Sequence, residues 1–161
     1  MAKRCDEDNS GTTNALDLHL NLQGKSQVNM TFKIHDISDE DNPQDGIYFS
    51  NDAVKTFKKV FDFKPESWCD QYGQFPPFDI DELARKVNLS FTSQFVIRFQ
   101  QHDDGDFGYG SIVPDGFYLD DVKVYEPKLT YATLPFSDGF ENSVLGYTLH
   151  NNFFQLKKVV M

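Results

Sequence analysis

The alternation of apolar and polar residues breaks once between Pro114 and Tyr125, and that break constrains what the chain can build. A turn signal, Pro114-Asp115-Gly116, opens the stretch. Phe117 and Leu119 then flank Tyr118, the pattern of a strand with one buried face. Val122 and Val124 follow the same pattern, but three positions separate Leu119 from Val122. A period of two cannot hold both pairs on one face. A bulge is therefore expected at Asp120 and Asp121. Adjacent carboxylates between apolar neighbours are costly if buried unpaired. Either a cation or a set of hydrogen-bond donors relieves them, or one is solvated and the other caps a loop.

Other segments carry the same period. Leu16, Leu18, Leu20 and Leu22 alternate with Asp17, His19 and Asn21, and Val28, Met30, Phe32 and Ile34 alternate with Asn29, Thr31 and Lys33. The short turn Gln23-Gly24-Lys25-Ser26 between them predicts an antiparallel hairpin. Gly46 to Ser50 reads as a short strand. Phe57 to Phe63 reads as another, in which Lys59 interrupts the apolar face and predicts an edge or a bulge. Phe95, Ile97 and Phe99 point one way, which places Arg98 on the outer face. Asp79-Ile80-Asp81-Glu82 is a helix start with Asp79 as N-cap, for a helix of two or three turns. The expected fold is an all-β antiparallel sandwich, a jelly roll with at most one short helix. Residues 1-14 are polar and read as a flexible lead-in. Residues 15-126 form the domain. Residues 127-161 either complete it or start a second module.

The formal net charge of -10 excludes a nucleic-acid backbone as partner, because no basic surplus exists to displace counterions. Sixteen Phe and seven Tyr suit a strand-rich core. No apolar run is long enough to span a membrane. Met1-Ala2-Lys3-Arg4 lacks the apolar stretch of a signal peptide. Cys5 and Cys69 permit one disulfide without requiring it, and their spacing fits no zinc motif.

Three loops hold the candidate functional residues. The loop 64-78 carries Trp68, Tyr72, Phe75 and Phe78. Such rings either stack on a flat ligand or fold back as a lid on the core. The loop 36-45 holds Asp36, Asp39, Glu40, Asp41 and Asp45. It reads as a solvated charge run, although hard cations also seek such oxygen-rich loops. The loop 101-110 brings three aspartates together with Phe107 and Tyr109. No nucleophile elbow, zincin motif or phosphate-cradling loop is present, and His19, His35, His102 and His150 are scattered. No enzyme is expected. Trp68, Tyr72, Phe107 and Tyr109 are candidate stacking residues for a ligand, with Arg98 as a polar anchor.

Leu16-Asp17-Leu18-His19-Leu20-Asn21-Leu22, Asp45-Gly46-Ile47-Tyr48-Phe49-Ser50, Phe95 to Gln101 and Asp115 to Val122 follow one another in an order that resembles the MAM-like jelly-roll modules of bacterial secreted and surface proteins. The order is also similar to that of jelly-roll carbohydrate-binding modules. The resemblance implies a secreted or cell-surface setting, and adhesion, binding of a polysaccharide or cell-surface glycan, or a spacer role. It implies no catalysis. It also implies a structural Ca2+ joining Asp120 or Asp121 to Glu141, with Asp138 nearby. Here Gly139-Phe140-Glu141 follows the closing strand, whereas the family places it before the first strand. The C-terminal residues are therefore expected to begin another module, to pack back, or to be donated to another copy, which would give a homo-oligomer.

Overall fold

The alternating segments become strands, but they do not pair with their neighbours in sequence. The computed structural model describes residues 12–37, 39, 41–64, 72–75, 77–103, 116–128 and 134–135. Strand β1 (Thr12–Leu20) begins inside the expected lead-in. It is followed by β2 (Asn29–Ile37), β3 (Gly46–Ser50), β4 (Lys58–Asp62), β5 (Gly73–Gln74) and β6 (Phe78–Asp79). Helix α1 (Ile80–Lys86), β7 (Phe95–Asp103) and β8 (Gly116–Tyr125) complete the order. One sheet runs β1-β7-β3-β4. The other is built on β2, which pairs with β8 along one edge and with β5 and β6 along the other. Every pairing is antiparallel. The two sheets pack face to face as an all-β sandwich.

The expected hairpin of the first two strands does not form. β1 pairs with β7 along its whole length, and β2 lies in the opposite sheet. The turn at 23–26 carries the chain across the sandwich instead. Its flanks find distant partners, Leu22 N–H donating to the Thr92 carbonyl and Ile80 N–H to the Val28 carbonyl. Two amphipathic strands bury their apolar rows equally well side by side or facing each other. Local sequence cannot separate these outcomes.

The core lies between Met30, Phe32 and Ile34 of β2 and Ile47, Phe49, Phe95, Ile97 and Phe99 of the facing sheet. Phe32 sits at its centre, with the rings of Phe75, Phe78 and Phe99 at 5.3, 5.4 and 5.2 Å. Helix α1 starts as expected: Asp79 caps it, its carboxylate accepting from Glu82 N–H at 2.8 Å. Asp81 then accepts from Val28 N–H at 2.6 Å, which ties the helix to the start of β2. The chain divides into two compact units, Met1–Glu126 and Pro127–Met161. Of the second, only Pro127, Lys128, Leu134 and Pro135 are described. Among the described residues, no helix is long and apolar enough to cross a membrane.

Candidate functional site

The outer face of the β2–β8 sheet follows from alternation and one bulge. In β2, Met30, Phe32 and Ile34 point into the core, so Asn29, Thr31, Lys33 and His35 point out. In β8, Phe117, Leu119, Val122 and Val124 pack against the core, and Tyr118, Asp120, Asp121, Lys123 and Tyr125 face solvent. The register shifts as Thr31 pairs with Lys123 and Lys33 with Asp120. Asp121 and Val122 therefore both oppose Phe32, and Asp121 takes a left-handed φ of 50°. The expected bulge is present, and it is what switches the inward phase between Leu119 and Val122.

The register of β2 with β8 and with β5 lines up an aromatic row. His35 lies opposite Tyr118 on one side, and Tyr72 precedes the β5 residues on the other. The His35 ring is 5.1 Å from that of Tyr72 and 6.2 Å from that of Tyr118, stacked at 22° on the latter. Tyr72 and Tyr118 remain 53% and 54% exposed. Large aromatic rings held in a row at the surface form a flat apolar strip with polar edges. Beside the row, Lys33 Nζ meets Asp121 Oδ2 at 2.6 Å. That hydrogen bond holds the Asp121 carboxyl below the usual carboxylate range and the Lys33 ammonium above the usual lysine range. Asp120 accepts from the Asp121 N–H at 2.7 Å.

The aromatic loop divides. Phe75 and Phe78 fold back on Phe32, as the lid reading required, while Tyr72 stays at the surface. Trp68, Phe107 and Tyr109 lie outside the described residues. Arg98 is on the outer face of the other sheet, as expected, but is engaged there by the fold. Its guanidinium donates to both Asp17 oxygens at 2.7 and 2.8 Å and lies 3.7 Å from the Phe57 ring centre. It is therefore not brought to the aromatic row. Sequence reasoning passed over His35 and Tyr118. Their outward phase was readable from alternation, but their juxtaposition depends on a long-range register.

Of the implied calcium ligands, Asp138 and Glu141 lie outside the described residues. The Asp121 carboxylate is paired with the Lys33 ammonium, and Asp120 accepts from the Asp121 N–H. Among the described residues, no three His, Cys, Asp or Glu side chains converge as a metal site. The acidic loop 36–45 corrects an expectation. Asp45 is fully buried and Asp39 is 4% exposed, so these two are not part of a solvated run. Asp45 accepts from His102 N–H at 2.6 Å, and Asp39 from the Gln101 side chain at 2.8 Å. The loop is thereby fastened to the end of β7. An apolar slot of about 210 Å³ opens between the sheets, lined by Leu16, Ile34, Phe63, Phe99, Phe117 and Leu119. Asn14, Ala15, Gln100 and Gln101 complete its lining, so polar side chains of β1 and β7 stand beside the core residues. No family model matches this chain, and neither does any curated sequence or solved structure.

Proposed function

We propose that this chain is a non-catalytic binding module that takes a carbohydrate on the outer face of the β2–β8 sheet. The observation that carries the reading is the solvent-facing row Tyr72–His35–Tyr118. A sugar ring has an apolar C–H face edged by hydroxyls. The C–H face complements an aromatic ring, and the hydroxyls find donors and acceptors in Lys33, Asp120 and Thr31 alongside. The face is built on strands, which hold such a platform rigid before the ligand arrives. An extracellular setting, at the cell surface or secreted, follows from the resemblance to jelly-roll modules alone. The alternative of self-assembly through the C-terminal strands concerns residues 133–161, most of which lie outside the described residues. Structural calcium is not needed for this reading.

Retardation in gels containing polysaccharides tests the proposal. Wild type is expected to be slowed by at least one glycan, and Tyr118→Ala to migrate as in the empty gel. Both residues of the Tyr pair are half exposed, so the melting temperature of the variant should stay near that of wild type. Binding that survives loss of both Tyr72 and Tyr118 would place the ligand elsewhere and overturn the reading.

A further inference from the structure

We infer that the ligand of this face is an extended, uncharged oligosaccharide lying along β2 and β8, from the aromatic row to Tyr125. The inference rests on the carbohydrate reading above and adds the ligand's length and charge. Tyr118 opposes His35, and Tyr125 opposes Asn29. At about 3.3 Å per residue along the regular strand β2, the two ends of the face are roughly 20 Å apart. That exceeds the reach of one sugar ring and suits a chain of several. Tyr125 is 40% exposed and offers a second aromatic contact at the far end.

The path between the ends is polar. Thr31, Lys33, Asp120, Asp121 and Lys123 all point outward along it. These side chains are suited to sugar hydroxyls spaced along a chain. Their charges cancel: two lysines stand against two aspartates, and Lys33 is already paired with Asp121. A sulfated or uronate-rich glycan would gain no net attraction here, in a protein of net charge -10. A neutral polymer loses nothing.

The test uses the full chain, first in gels containing neutral or anionic polysaccharides. Calorimetry then uses a length series of oligosaccharides cut from whichever polymer retards the protein. Expected are retardation by a neutral polymer that persists in high salt, and affinity that climbs with oligosaccharide length. Tyr125→Ala should leave the shortest binding oligosaccharide unaffected and weaken the longest by about tenfold, the weight of one aromatic contact. Retardation by anionic polymers alone, lost in salt, overturns the inference and leaves the carbohydrate reading standing. So does a length dependence that Tyr125→Ala leaves intact. Failure of every polysaccharide to retard the protein removes both.

Discussion

At the scale of single residues, backbone geometry and hydrogen bonding set the outcome. Gly46 starts β3 with φ 151°, and a Cβ there would fall 2.0 Å from the Phe61 carbonyl oxygen. The obstacle is backbone, so no side chain can swing aside. Gly46→Ala is expected to cost about 3 kcal/mol in urea unfolding. An unchanged midpoint would mean that the strands separate there at no cost. Asp52 shows how one carboxylate can organise a loop. Its oxygens accept from the Thr56 hydroxyl at 2.7 Å, from Thr56 N–H at 3.0 Å and from the Ser50 hydroxyl at 2.8 Å. These bonds, the Thr56 hydroxyl foremost, pull its pKa down to about 2. The folded value lies below the unfolded one, so the stabilisation is complete above the ordinary carboxylate range. It is lost as pH falls from about 4 through the folded value. The stability gap between wild type and Asp52→Asn should thus be widest near neutral pH and narrow on acidification. A gap constant from pH 7 to about 2 would assign the loss to geometry and not to charge.

At the scale of elements, the β8 bulge and the capped helix were both readable in sequence, because each is set by spacing within a few residues. The three-residue step from Leu119 to Val122 admits no other phase, and Asp79 with Glu82 is a complete cap signal. The pairing of Lys33 with Asp121 across the bulge is half exposed. Exposed ion pairs contribute little, so Asp121→Asn should leave the urea midpoint close to that of wild type. The result should be the same with calcium or with chelator. A large destabilisation seen in calcium and absent in chelator would make Asp121 a metal ligand. Strand pairing was less readable. Lys59 correctly marked an irregular edge, since β4 is the outer strand and its register slips between Ile47 and Tyr48. The first two strands, however, gave no sign of lying in different sheets.

At the scale of the whole molecule, the sandwich is held by one aromatic centre that both sheets share. Phe32 comes from one sheet and meets Phe99 from the other edge-on at 81°. Phe75 and Phe78 close over it. Phe32→Ala should cost about 3–5 kcal/mol and lower the thermal midpoint of the sandwich in one cooperative step. Loss of one sheet's signal before the other would mean that the sheets are stabilised separately. The sequence by itself determined the inward rows of β2, β7 and β8, where β8 bulges, where the helix begins and that the fold is all-β, since each depends on periods and caps spanning a few positions; Leu16 of the β1 row is half exposed. It also placed Tyr118 outward and Tyr72 on a loop. Only the tertiary structure decided that β1 pairs with β7, that Asp39 and Asp45 are buried against β7, and that Tyr72, His35 and Tyr118 form one row. Those outcomes depend on register between distant strands. An amphipathic strand buries its apolar face equally well beside many partners, so its own residues do not choose among them.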